Sequence, residues 1–349
     1  MSQLNVDTIK KADGTGNLSV PAETGTVVTT SSPSLGRRNL IINGAMQVAQ
    51  RGTSITLGAG TGTYTLDRVR SQSNGGGITV SQETNAISGI GTQKMCRYTG
   101  ASGVTGVYYI YRIESKDVAQ INGNSVTFSI YIENNSGASI SPTIDYYHPT
   151  AADNFSGNTT VASGVALGTV ANGSSARLTA TTDVSGTTIT NGLMLQVNFG
   201  SALTSGTIDF TGVQLEVGSV ATPFEHRSFG EELALCQRYY EVLANGADSS
   251  SGCIGSGNYY TSTSFHLPVK FQVQKRTTSY SLDQVTGTYF YRVYRESGND
   301  QFDSFGLTRK GAQSCTLYKG SGSVSSTAGN GGEFLCNNAS AFVAIDNEL

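Results

Sequence analysis

The chain of 349 residues is 37% apolar and 13% charged, with a formal net charge of −3. That length can hold two β domains and a tail. With no basic excess to neutralise a phosphate backbone, nucleic acid is not an expected partner. No apolar run approaches the ~20 residues of a membrane-crossing helix, so membrane insertion is not expected either. The 43 glycines fit many tight turns rather than long helices. The opening MSQLNVDTIKKADG carries no apolar h-region and does not read as a signal peptide. Cys96, Cys236, Cys253, Cys315 and Cys336 show neither CxxC nor zinc spacing. They read as reduced, mostly buried residues of a protein folded in cytosol.

Residues 1–36 have no core of their own. Leu4, Val6 and Ile9 form a short apolar patch, Leu18 and Val20 follow, and a Thr/Ser-rich run ends at Pro33. Such a segment buries too little to fold alone. It is either a disordered tail or an arm that orders by adding strands to a partner or to copies of itself.

From Arg37 to Arg227 short apolar runs alternate with turns. Val126, Phe128, Ile130 and Ile132 share one strand face, and Leu193, Leu195, Val197 and Phe199 repeat the pattern. Ile208 and Phe210 are even-numbered, whereas Val213, Leu215 and Val217 are odd. A β-bulge at Gly212 absorbs the slip. Strands of this kind over residues 37–227 predict a mainly β chain with an antiparallel jelly-roll sandwich.

Ser228 to about Glu241 is the convincing helix. Phe229, Leu233, Cys236 and Tyr240 recur at i, i+4, i+7 and i+11, which makes one apolar stripe. Ser228 and Glu231 have capping-box spacing, and Asn245-Gly246 offers a left-handed stop. Residues 228–245, a lone helix between two β-rich regions, are expected to be a hinge, a spacer or a neck in which copies of the chain bury that stripe as an oligomer seam. A second β domain is expected over 246–349. In it Phe265, Leu267 and Val269 alternate, Pro268 marks an edge strand, Ser321 to Gly332 is a loop, and Ala341 to Ile345 is a strand.

Several separated motifs carry a resemblance. NLIINGAMQVAQRGTS at 39–54, YTLDR at 64–68 and VQLEVGSVATPFEHRSFGEELALCQRYYE at 213–241 resemble bacteriophage tail-fibre and related virion proteins. These carry a jelly roll of the carbohydrate-binding-module type. LNVDTIKKADGTGNLSVP at 4–21 resembles their attachment arms, and AFVAIDNEL at 341–349 their common ending. The resemblance spans most of residues 1–241 in order and is weaker from 246 onward. One departure is Val69, where the family usually has Trp after Asp-Arg; this chain has no Trp at all. The resemblance implies a homotrimer on a virion tail, assembled in the host cytoplasm. Leu4, Val6, Ile9, Leu18 and Val20 would then face other tail or baseplate proteins.

Catalytic signals are thin. Carboxylate pairs such as Asp67 with Glu216, or Asp145 with Asp153, are the type of residue glycoside cleavage needs. Asp67, though, is expected to pair with Arg68 or cap a turn. His148, His226 and His266 are scattered, no GxSxG elbow is present, and Gly75-Gly76-Gly77 reads as a turn. No enzyme activity and no cofactor are expected. Binding has better support, because Tyr, Ser, Gly and Asn dominate the C-terminal region, the palette of adaptable recognition surfaces. Tyr259, Tyr260, Tyr289, Tyr291 and Tyr294 are the candidate contacts for a host-surface glycan or protein, against the alternative that many are core. The rival expectations are a purely architectural adaptor or head decoration, and a polysaccharide depolymerase.

Overall fold

The computed structural model describes residues 37–60, 62–200, 203–248, 251–296, 298–320 and 322–349, together with the backbone of two short strands nearer the start. Those two, β1 (Ile9–Lys10) and β2 (Asn17–Leu18), pair antiparallel with Ile9 opposite Leu18. They belong to a separate unit, residues 1–37. The attachment residues Leu4, Val6 and Val20 lie outside the described residues.

The second unit, Arg38–Leu349, opens with twelve strands. They are β3 (Ser54–Leu57), β4 (Thr63–Tyr64), β5 (Arg70–Asn74), β6 (Ile78–Thr84), β7 (Lys94–Thr99) and β8 (Gly106–Ile113), followed by β9 (Ser125–Asn135), β10 (Thr143–Ala151), β11 (Asn154–Ala166), β12 (Ser174–Asp183), β13 (Leu193–Asn198) and β14 (Thr207–Val217). They pair antiparallel as two six-stranded sheets, β11-β10-β13-β8-β5-β4 and β12-β9-β14-β7-β6-β3. The jelly-roll sandwich is thus present. The predicted inward faces fill it: Val126, Phe128, Ile130, Ile132, Leu193, Leu195, Val197 and Phe199 are all buried. Tyr98, Tyr109, Phe199 and Phe210 form an aromatic centre with ring centroids 5.1–5.7 Å apart.

The period slip in β14 is the predicted bulge. Thr211 pairs with Tyr131 and Gln214 with Ser129, so two residues face one. Gly212 adopts φ +60 there, and a Cβ on it would lie 1.9 Å from Ile90 Cδ1. Glycine is required on both counts.

The helix α1 is shorter than predicted, Phe229–Gln237. Ser228 caps it as expected, accepting from the Glu231 N–H at 3.3 Å. The chain then leaves the helix at Arg238 and enters strand β15 (Tyr240–Asn245), pulled by the burial of Tyr239 and Tyr240. The expected oligomer seam is corrected accordingly. Tyr240 is a strand residue, Cys236 and Tyr240 are fully buried within their own chain, and Phe229 stands 55% exposed. Leu233 is half-buried. A buried charge also ties the helix to its own jelly roll. Buried Glu232 accepts from the Asn43 N–H and from Arg227 (3.2 Å). A hydrophobic stripe read from spacing alone could not register that a carboxylate between its members is the docking residue.

After β15 come β16 (Cys253–Thr261), β17 (Ser264–Lys270), β18 (Ser281–Gln284), β19 (Tyr291–Arg295), β20 (Gly298–Phe302), β21 (Gly306–Thr308), β22 (Ser314–Lys319), β23 (Gly331–Cys336) and β24 (Phe342–Asp346). They form a three-stranded sheet, β15-β24-β18, and a seven-stranded one, β20-β19-β23-β16-β17-β22-β21. Their shared core is rich in Tyr and Phe. Pro268 is not on an edge strand, since β17 lies between β16 and β22. Its pairing with β16 stops at His266, so the missing N–H breaks no ladder bond on that side.

The two β regions keep separate cores yet belong to one compact unit. The second β region meets the jelly roll through polar contacts. Arg51 pairs with Asp346 and Glu348 at 3.3 Å each and lies 3.6 Å above the Tyr240 ring. Arg68 pairs with Glu348 and lies 3.7 Å from the Tyr239 ring centroid. Glu114 accepts from Nε and Nη2 of Arg238 at 2.9 Å each. Gln50 donates to Asp67 (2.6 Å) and to the Tyr240 carbonyl (2.7 Å). Asp67 thus caps Gln50 instead of pairing with Arg68. Segments from four of the motifs that carry the family resemblance meet at this joint.

Candidate binding surface

Alternation along the seven-stranded sheet sorts its aromatic residues onto two faces. Tyr259 and Tyr291 point inward and are fully buried. Tyr259 donates to Asp300 at 2.7 Å. The Tyr291 hydroxyl shares its one proton between the carbonyls of Val285 and Phe342, at 2.7 and 2.8 Å. Burial pushes the Tyr291 hydroxyl up to about 12. Both are core residues, and their assignment as glycan contacts is corrected. Tyr260, Tyr289 and Tyr294 are 60%, 52% and 41% exposed, so their rings remain available to a ligand.

Two of these three line clefts that adjoin at Asn299. Tyr289 sits before β19 at φ +58 and lines an open cleft of about 700 Å³ with Asn299, Gln301 and Ser323. Tyr294 lines another of about 570 Å³ with Asn299 and Glu333, under the Arg292 guanidinium at 4.4 Å. Tyr260 belongs to an aromatic strip over adjacent strands. Its ring stacks on His266 with centroids 4.8 Å apart and planes 6° from parallel. Tyr318, directly opposite His266 in the ladder, meets that imidazole edge-on at 6.2 Å. Gly306 leaves room for Tyr318, because a Cβ there would lie 2.7 Å from its ring. The strip ends at Arg309, whose guanidinium is 5.4 Å from the Tyr260 centroid.

The sequence alone does not bring His266, Tyr318 and Arg309 together. Alternation with buried Phe265 and Leu267 signals only that His266 faces outward. Which residues lie beside it depends on the register of β17 with β22. Burial and the neighbouring Arg309 charge hold His266 below its ordinary value.

The sandwich has a second polar-aromatic face. On the sheet containing β8, Tyr108 and Tyr147 are half-buried and point away from the core, unlike Tyr109 and Tyr111. The Asn74 amide reaches the Tyr108 hydroxyl at 3.3 Å. Part of this face is occupied by the chain itself, since Leu349 packs against the patch of Ile110, Phe155 and Met194.

The carboxylates considered for hydrolysis each have a structural partner. Asp67 is buried against Gln50, and desolvation pushes it up to about 6. Glu216 accepts from the Thr222 N–H at 3.0 Å. Asp145 accepts from Ser163 (3.0 Å), and Asp153 from the Ser115 N–H (2.7 Å). His148 accepts the N–H groups of Thr190 and Asn191. Among the described residues no group of His, Cys, Asp and Glu converges as a metal cluster.

No family model and no curated protein matches this chain. Among solved structures, it is similar to the tailspike protein 4 enzymatically active domain of bacteriophage CBA120, at 12% identity and a TM-score of 0.34. That overlap covers 51% of this chain and 21% of the tailspike chain, so the match spans about a fifth of the neighbour. The CBM22-1 xylan-binding domain of Paenibacillus barcinonensis Xyn10C overlaps at 13% identity and a TM-score of 0.30, covering 48% of this chain and 95% of the other. TmCBM61, solved with β-1,4-galactotriose, overlaps at 8% identity and 0.30, covering 52% and 99%.

Proposed function

We propose that this protein is a non-catalytic, fibre-type component of a bacteriophage virion that recognises a glycan on the host surface. In this reading residues 1–36 attach it to other tail or baseplate proteins after assembly in the host cytoplasm. The motifs at 4–21, 39–54, 64–68, 213–241 and 341–349 support the virion setting by their resemblance to such fibres. The observation that carries glycan recognition is the outward strip Tyr260–His266–Tyr318. Tyr rings present an apolar face to a sugar ring and a hydroxyl to its neighbours. Several copies on one particle, three in the form the resemblance implies, let each site be weak.

Point variants test this better than deletion of 246–349, because that region shares the polar joint with the jelly roll. Virions carrying Tyr260→Ala with Tyr318→Ala should keep assembling and adsorb to host cells at least roughly tenfold less well, the effect of losing ~1.4 kcal/mol. Normal adsorption favours the architectural adaptor instead. New reducing ends on incubating purified protein with host polysaccharide favour a depolymerase.

A further inference from the structure

We infer that the glycan taken by the Tyr260–His266–Tyr318 strip is acidic, with a sugar carboxylate held by Arg309 while a ring lies on the neighbouring tyrosines. This rests on the proposed function and adds to it the chemical class of the ligand.

The first observation is the state of Arg309. It is exposed and, among the described residues, forms no ion pair with a carboxylate. Its backbone sits at φ +48, an uncommon conformation for a long side chain. Its guanidinium lies 5.4 Å from the Tyr260 ring centroid, with Nη1 3.4 Å from His266 Nδ1. An unneutralised guanidinium beside a ring face can take a planar anion in its fork.

The second observation is the direction of the hydrogen bonds. A guanidinium can only donate. His266 Nδ1 must therefore accept, which leaves the imidazole neutral with its proton on Nε2. The polar groups of the strip are then the Arg309 fork, the His266 Nε2–H, the Tyr260 and Tyr318 hydroxyls and the amide of Asn258, which lies opposite His266 in the ladder. Donors outnumber acceptors in that set, and its one unpaired charge is the guanidinium. A neutral sugar presents hydroxyls that need acceptors as well. A carboxylate presents two acceptor oxygens in the plane that the arginine fork matches.

The third observation is the open ring face. Tyr260 stacks on His266 with one face and stays 60% exposed. A sugar can cover the free face while its acid group reaches Arg309 beside the same ring.

The test uses the full protein and oligogalacturonate, oligoalginate and sialyllactose as probes, each beside the same compound with its carboxyl groups reduced to alcohols. Affinity is read by calorimetry at fixed salt for wild type, Arg309→Gln, Arg309→Lys and Tyr260→Ala. At least one acidic probe should bind roughly tenfold or more tighter than its reduced form, the scale of one charge-assisted pair. Arg309→Gln should abolish that preference, Arg309→Lys should keep part of it, and Tyr260→Ala should weaken acidic and reduced forms together. Equal binding of acidic and reduced forms, or a preference that survives Arg309→Gln, overturns the acidic assignment and leaves glycan recognition standing. Failure of every acidic probe also overturns it, and the adsorption assay then judges glycan recognition independently.

Discussion

Arg68 and Glu348, 280 positions apart in sequence, form a buried ion pair that ties the first β region to the second. Arg68 sits at φ +63, is 1% exposed and is covered by the Tyr239 ring on one side. Its other terminal nitrogen donates to the Arg112 carbonyl. Arg112 and Tyr64 in turn donate to the Leu349 main-chain oxygen. Removing one member of a buried pair strands the other charge, at a cost of ~3–5 kcal/mol. Glu348→Ala should lower the urea midpoint accordingly. Arg68→Met combined with Glu348→Leu should recover much of the loss, because no charge is then left alone. A single variant with an unchanged midpoint would dismiss the pair as a structural tie.

Asp67 gives a dependence on pH. Its carboxyl is buried and pushed from 3.8 to about 6, chiefly by desolvation and against the attraction of Arg51. A group whose value rises on folding binds its proton more tightly in the folded state. Its stabilising contribution is complete below pH ~4 and is lost as pH rises through 6. At ~1.4 kcal/mol per pH unit the ionised form costs the fold ~3 kcal/mol at neutral pH. Asp67→Asn removes the charge but leaves one of the two Gln50 donors without an acceptor. The stability of the variant relative to wild type should therefore rise from pH 4 to pH 7.5, whatever its sign at pH 4. Urea titrations of both proteins at the two pH values decide it, and a relative stability that falls as pH rises has the wrong sign.

Gly212 is the hinge of the bulge in β14. Alanine there must hold φ +60 and displace Ile90 Cδ1 from 1.9 Å. Gly212→Ala should cost roughly 2 kcal/mol or more, read as a fall in thermal midpoint. Adding Ile90→Ala should relieve the clash between the two side chains but not the backbone strain. A neutral Gly212→Ala would mean that the strand does not bulge at this residue.

His266 should titrate below 6.5, since burial and Arg309 both oppose its charge. Nitrogen chemical shifts at pH 7.5 should report a neutral ring protonated on Nε2, because Nδ1 faces the Arg309 donor at 3.4 Å. Arg309→Gln should move the midpoint upward. An unchanged midpoint would show that the two side chains do not interact in solution.

The sequence by itself determined the strands, the alternating core faces of β9 and β13, the Gly212 bulge and the Ser228 cap. Each follows from spacing over a few neighbouring residues, where periodicity or a single backbone requirement is enough. Tertiary structure decided what those local signals could not. Whether Cys236 and Tyr240 face another copy or their own chain depends on the pull of Tyr239 and Tyr240 into the interior, and on Glu232 meeting Asn43. Whether a tyrosine is core or surface depends on strand phase, which divides Tyr259 from Tyr260 and Tyr291 from Tyr294. The strip of Tyr260, His266, Tyr318 and Arg309 comes from the register of separate strands, and the Arg68–Glu348 tie joins residues 280 positions apart. Such contacts are made by closing long loops, and their partners carry no mark in the local sequence.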